Sequence, residues 1–199
     1  MSTADRIAEL FEQHIELTRR SMSLAPGIAA AAQKLVACLR RGNKLLVCGN
    51  GGSAADAQHL SAELVNRFES DRPGLAAVAL TVDSAALTSI GNDLGFDAVF
   101  SRQVEALGRP GDVLVVITTS GESANLIAAV ATAHATGLEV VALTGRDGGA
   151  VGRACADQDS EIRVPGGNTA RIQEIHTLII HALCATIDRA FSTGNVPAT

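Results

Sequence analysis

The sequence predicts an α/β protein built on a doubly wound parallel sheet of five strands. Three observations carry that expectation. Short apolar runs such as Leu45-Leu46-Val47-Cys48, Val113-Leu114-Val115-Val116-Ile117 and Val140-Val141-Ala142-Leu143 recur along the chain. Helix-like stretches alternate with them. Two of the runs end in turns crowded with Gly, Ser, Thr and Asn. Continuous apolar strands alternating with helices indicate a parallel sheet covered on both faces, with right-handed crossovers.

In chain order, Ile7, Leu10, Phe11, Ile15 and Leu17 have helical spacing within 4–20. Pro26 opens a second helix over 28–39, where its missing N–H costs little, and Arg41-Gly42-Asn43 ends it. Two helices with no strand between them read as an added element for packing and subunit association, residues 1–42. The α/β domain spans 43–191. Its strands are expected at 45–48, 76–80, 113–117, 140–143 and 161–164. Helices are expected at about 54–67, 84–90, 100–107, from the loop after 123 to about 136, and from 169 to 191. The tail 192–199 reads as flexible.

Composition narrows the function. Of 199 residues, 47% are hydrophobic and 19% charged, so a sizeable core is expected and disorder is not. The absence of Trp and Tyr and the net charge of −5 argue against nucleic acid as a partner. Cys38, Cys48, Cys155 and Cys184 form no C-x-x-C pair and read as reduced thiols. The N-terminus lacks the pattern of a secretory signal, and no apolar run reads as long enough to span a bilayer. A cytoplasmic protein without membrane contact is the expectation.

Two strand-to-helix loops could hold a phosphate. Gly49-Asn50-Gly51-Gly52-Ser53 follows the first strand, where glycines let backbone N–H groups approach a ligand. It is neither a G-x-G-x-x-G nor a Walker A loop, and a ligand-free glycine turn is the plain alternative. Thr118-Thr119-Ser120-Gly121-Glu122-Ser123 follows the third strand and places four hydroxyls at a helix N-terminus. One hydroxyl is an N-cap, but four in six residues favour a phosphomonoester.

Two helical segments carry titratable groups. His59 and Glu63 are four apart, and Gln173 and His181 are eight apart, so each pair falls near one helix face. Facing helices would bring together two imidazoles, a carboxylate and an amide, enough for an acid, a base and a metal seat. The ordinary alternatives are a core histidine at 181 and solvated glutamates at 63 and 174. His176 lies near the same face as His181, while His14 and His134 have no motif around them and read as surface residues.

Taken together, Gly49-Asn50-Gly51-Gly52-Ser53, Asp56-Ala57-Gln58-His59 with Glu63, Gly91-Asn92-Asp93, Thr119-Ser120-Gly121-Glu122-Ser123-Ala124-Asn125, the stretch 143–149 and Arg171-Ile172-Gln173-Glu174-Ile175-His176 resemble the phosphoheptose isomerases. These are sugar isomerase (SIS) domain proteins. The resemblance covers about residues 5–191. It implies a flavodoxin-like core, a homotetramer with active sites shared between subunits, and aldose–ketose isomerisation of sedoheptulose 7-phosphate to D-glycero-D-manno-heptose 7-phosphate, a step towards lipopolysaccharide heptose. It implies that Thr118, Thr119, Ser120 and Ser123 hold the phosphate. Asn50, Gly51, Gly52, Asn92, Asp93, Gln173 and Glu63 would contact the sugar, and Glu63 and His181 would transfer protons. Some members carry zinc on residues matching His59, Glu63, Gln173 and His181. No nucleotide is expected.

Three departures stand out. Ala170 occupies a position that is acidic in some members. Glu122 stands where Asn is common, and its charge should turn away from a phosphate. Thr118 replaces a frequent Ser. The rival reading is a tetrameric replication factor of the same fold that associates with the DnaA initiator without catalysis. In that paralogue the positions matching Glu63 and His181 are not acidic and not histidine. A sugar-phosphate-sensing regulator is a second rival, but it normally carries a DNA-binding module.

Overall fold

The structure, a computed structural model, describes residues 1–192. Five strands form one parallel sheet: β1 Leu45–Gly49, β2 Ala77–Ala79, β3 Val113–Ile117, β4 Glu139–Gly145 and β5 Ser160–Val164. Their order is β2-β1-β3-β4-β5, the flavodoxin-like arrangement. Eight α-helices accompany them among the described residues: α1 Thr3–Ser21, α2 Ala25–Arg40, α3 Gly52–Val65, α4 Ser84–Asp93, α5 Ser101–Leu107, α6 Ala124–Ala135, α7 Gly149–Ala154 and α8 Thr169–Phe191. Of the expected tail 192–199, Ser192 caps α8 and 193–199 lie outside the described residues.

Alternation along each strand divides the core. Leu45, Val47, Val113, Val115, Ile117, Val141 and Leu143 point to one face, where residues of α2, α3 and α8 bury against them. Leu46, Cys48, Leu114, Val116, Val140 and Ala142 point to the other, covered by α5, α6 and α7. Every residue of β1 and β3 is buried, which is why these strands read as unbroken apolar runs.

α1 starts with a capping box, in which Ser2 Oγ accepts from the Asp5 N–H and Asp5 Oδ2 accepts from the Ser2 N–H. α2 lies against α8 and β5 and buries Ala31, Ala32, Leu35, Val36, Cys38 and Leu39, so it belongs to the core layer. Together α1, a 3₁₀ turn and α2 form a helical run, Thr3–Arg40, long and apolar enough by length and composition to cross a membrane. That corrects the expectation that no run reaches such a length, but the apolar face of α2 is already covered by its own domain. α1 behaves differently: Ile7, Leu10, Phe11 and Ile15 remain exposed along it.

Three features differ from expectation. α7 was not expected, because Gly149-Ala150-Val151-Gly152-Arg153-Ala154 has poor helix propensity. Tertiary contacts form it: Val151 is fully buried, and its N–H donates to Gly121 O at 2.8 Å. α4 runs on to Asp93, so Gly91-Asn92-Asp93 is a last helical turn rather than a loop. His14 and His134 are half-buried rather than free on the surface, each paired with a carboxylate, Glu174 at 2.8 Å and Asp159 at 2.7 Å.

At the N-terminal edge of the sheet, Asp112 ties β3 to β1. Its carboxylate accepts from the Lys44 and Arg109 N–H groups at 3.0 and 2.9 Å and from the Asn43 amide at 3.1 Å, and it pairs with the Lys44 ammonium. Burial alone would raise its pKa, but these donors outweigh burial and hold the carboxyl below its usual range. Its contribution to stability is therefore present above the ordinary carboxylate pKa and is lost as pH falls through the lower folded value. Asp112→Ala should cost about 3 kcal/mol in urea unfolding at pH 7. The gap to wild type should narrow below about pH 4.

Candidate active site

The Gly49–Ser53 and Thr118–Ser123 loops leave adjacent strands, since Gly49 pairs with Ile117. They meet at the point where the strand order reverses, the usual crevice for ligands in an open α/β sheet. Asn50, Ser53, Thr118, Thr119, Ser120 and Ser123 line a cavity of about 110 Å³ there. The Asn50 side chain exchanges two hydrogen bonds with Asn125, at 2.9 and 3.0 Å, and so bridges the loops.

The hydroxyls have distinct duties. Thr118 Oγ1 accepts from the Gly121 N–H at 3.1 Å and Ser120 Oγ from the Glu122 N–H at 3.3 Å, so both shape the loop. Ser123 occupies the N-cap of α6 but makes no side-chain cap bond. An N-capping role for Ser123 is thus not realised, and its hydroxyl faces the cavity with the orphan N–H groups of α6. Glu122 turns away, as expected: Oε1 accepts from the Ala150 N–H at 3.2 Å and lies 3.5 Å from the Arg153 guanidinium.

The second group of residues sits on α3 and α8. His59 Nε2 lies 3.2 Å from Glu63 Oε1 and 3.4 Å from His181 Nε2, so His59 links the two. The imidazole rings of 59 and 181 meet edge to face, and Phe68 stacks on His181 with centroids 5.4 Å apart. Nearer the loops, Gln173 Nε2 and Thr177 Oγ1 donate to Asp56 at 3.2 and 3.3 Å. Burial pushes the Asp56 carboxyl above its usual range, against the effect of those two donors. Gly52 makes room for Gln173, because a Cβ there would stand 2.4 Å from the Gln173 amide.

His176 was expected near the His181 face. It is instead fully buried, with Nε2 bonded to Thr144 O at 2.9 Å, and desolvation lowers its pKa. The core-histidine alternative considered for His181 therefore describes His176. Asn92 and Asp93 sit exposed in the last turn of α4, bonded to each other at 2.7 Å, with no hydrogen bond to either loop among the described residues. Within one chain, His59 is seven residues into α3 from Gly52, about 10 Å of helix beyond the cradle. The sequence signalled neither Phe68 nor Thr177. Asp56 was legible, since it precedes His59 by one helical turn.

A zinc ion can be tested against this arrangement. Ligand atoms at about 2.0–2.1 Å from a tetrahedral zinc lie about 3.3–3.4 Å from one another. The 3.2 and 3.4 Å contacts through His59 Nε2 match that spacing. No three such side chains yet enclose a common point among the described residues, and the Gln173 amide is engaged by Asp56. Two of the pairwise contacts among residues 59, 63 and 181 thus have the spacing of zinc ligands, and these side chains would have to close around a common point to hold the ion. The fourth would have to turn from its present partner.

A SIS domain family profile matches residues 10–145. The phosphoheptose isomerase of Thiobacillus denitrificans is 59% identical over 83% of this chain and 84% of its own length. That of Halorhodospira halophila is 50% identical over 98% of both chains. The chain belongs to the phosphoheptose isomerase family of SIS domain proteins. Among solved structures, the family member from Neisseria gonorrhoeae is 51% identical and superposes with a TM-score of 0.90, covering 94% of this chain and 100% of that one. Neighbours under 20% identical, such as the sugar isomerase domain of a Sphaerobacter thermophilus RpiR transcription factor (TM-score 0.60), share the fold alone.

The loop geometry makes a sharp prediction. Gly121 has φ +71°, and a Cβ on it would stand 2.0 Å from Gly148 O, a backbone atom that cannot swing aside. Gly121→Ala should lose about 2 kcal/mol or more. Inorganic phosphate should raise the unfolding temperature of the wild type in a thermal-shift assay, and Gly121→Ala should abolish that rise.

Proposed function

We propose that the protein interconverts sedoheptulose 7-phosphate and D-glycero-D-manno-heptose 7-phosphate as an aldose–ketose isomerase. The carrying observation is that His59 and Glu63 of α3 converge with the sequence-distant His181 of α8, while the Thr118–Ser123 cradle stands apart, near the start of α3. A heptulose 7-phosphate reacts at C1 and C2, the end remote from its phosphate, and needs that separation. The membership of the family supports the same chemistry, and nothing in the comparisons favours the DnaA-associating alternative.

In this reading the cradle binds the phosphate through the hydroxyls of Thr119, Ser120 and Ser123 and the N-terminal N–H groups of α6, with Thr118 bracing the loop. Asn50, Gly51, Gly52 and Gln173 line the sugar chain, with Asn92 and Asp93 completing the set. Glu63 removes the proton from C1 and returns it to C2 of the enediol. His181 moves the proton between the two oxygens, oriented by Phe68 on its face and His59 on its edge. A zinc ion held by His59, Glu63 and His181, with Gln173, would polarise the carbonyl and stabilise negative charge on the enediolate.

We further assign a homotetramer with shared sites. The exposed Ile7, Leu10 and Phe11 on α1 support association through that helix. A cytoplasmic location is supported by four free cysteines, three of them buried.

Glu63→Gln should reduce turnover of sedoheptulose 7-phosphate by about 10²–10⁴-fold with little change in KM. Equal turnover by the two proteins would remove the base assignment. Untagged protein should contain zinc on metal analysis and lose activity to a chelator. Retention of the purified protein on DnaA, without turnover, would instead restore the binding-protein alternative.

A further inference from the structure

We propose that the buried ion pair Arg72–Asp188 is a positioning device that sets Glu63 against His181. This rests on the assignment of those two residues as the proton-transfer pair. Neither member hydrogen-bonds to the side chains of 59, 63 or 181 among the described residues. Both act through backbone.

The Arg72 side chain has no exposure and Asp188 has 2%. Arg72 Nε donates to Asp188 Oδ1 at 2.6 Å. Nη2 donates to the Glu63 carbonyl at 2.7 Å, and Nη1 to the Leu64 and Pro73 carbonyls at 2.9 and 3.1 Å. Glu63 O and Leu64 O belong to the last turn of α3, whose carbonyls have no partner within the helix. The guanidinium therefore caps α3 at the residue that carries the candidate base. Its charge also complements the negative end of the helix dipole.

Asp188 Oδ2 accepts from the Glu69 and Ser70 N–H groups at 2.8 and 2.9 Å. Those residues directly follow Phe68, the ring stacked on His181. Asp188 itself is seven residues beyond His181 on α8, two turns along the same face. One ion pair thus joins the end of α3, the segment carrying Phe68, and the helix carrying His181.

A buried ion pair is a poor way to gain stability alone, since desolvation offsets much of the attraction and apolar side chains can serve as well. Apolar packing does not fix direction. A planar guanidinium with its donors in a rigid fork does, because each bond specifies where an acceptor stands. Catalysis depends on that precision: a displacement of about 1 Å can cost about 100-fold in rate.

The test uses the full chain carrying Arg72→Lys, assayed with sedoheptulose 7-phosphate well below its unfolding temperature. Lysine keeps the charge but cannot span the carbonyls and Asp188 together. The expected result is a fall in kcat of about 10- to 100-fold with KM within about twofold of wild type, because the cradle's hydroxyls at 118–123 lie on the β3–α6 loop and Ser53 lies at the end of α3 remote from Arg72. A lower unfolding temperature with kcat intact would make the pair a structural staple and overturn the proposal, as would a change in KM alone. If Arg72→Lys does not fold, Asp188→Asn is read in the same way, with a smaller fall in kcat expected because an acceptor oxygen remains. Glu63→Gln is run alongside. Loss of activity in it with normal kcat in Arg72→Lys defeats only the positioning role, whereas full activity in Glu63→Gln defeats the reading beneath it.

Discussion

The pairing of α3 with α8 is the constraint on which the rest of the structure depends. Both helices lie on the same face of the sheet, and Leu60, Leu64, Ile179, Ile180 and Leu183 belong to one buried cluster. Three polar links run along that apolar seam. Gln173 and Thr177 meet Asp56 near the loops, His181 meets His59 in the middle, and Asp188 meets Arg72 at the far end. Apolar burial supplies the attraction between the helices, and the directional contacts set their register. The titratable groups stay partly open to solvent while the anchors at the far end are fully buried.

The sheet supplies a second, independent fixture. β1 and β3 are neighbours, but the chain leaves them towards opposite edges of the sheet. Their loops must therefore open a crevice, and the reciprocal amide contact of Asn50 with Asn125 sets its width. α3 begins at that crevice and ends at Arg72's cap, so one rigid element connects the cavity proposed to hold the phosphate to the residues proposed to move protons. The separation of the two is a helix length, which resists change better than a loop would.

The fold was legible because its signals are local. Every residue of β1 and β3 is buried on both sides, so a continuous apolar run was the only pattern such strands could carry. The same held for the place of the hydroxyl-rich loop, whose residues line a cavity at the start of α6. α7 was not legible, since its helical form comes from contacts with the Gly121 loop rather than from its own residues. Arg72 and Asp188 were equally hidden. An arginine in a polar turn and an aspartate near the end of a helix look solvated until the chain is folded.

The sequence by itself determined the alternating order of strands and helices, the family, and the residue types at the candidate site. Periodicity, loop composition and motif spacing are properties of neighbouring residues. Which histidine of α8 faces the chemistry was decided only in three dimensions. His176 and His181 are five residues apart on one helix, and the sequence offers both. The sheet claims His176 through Thr144, and α3 claims His181 through His59. The rotation of α8 about its own axis settles the choice, and that rotation is set by packing against elements 32 and 122 residues away.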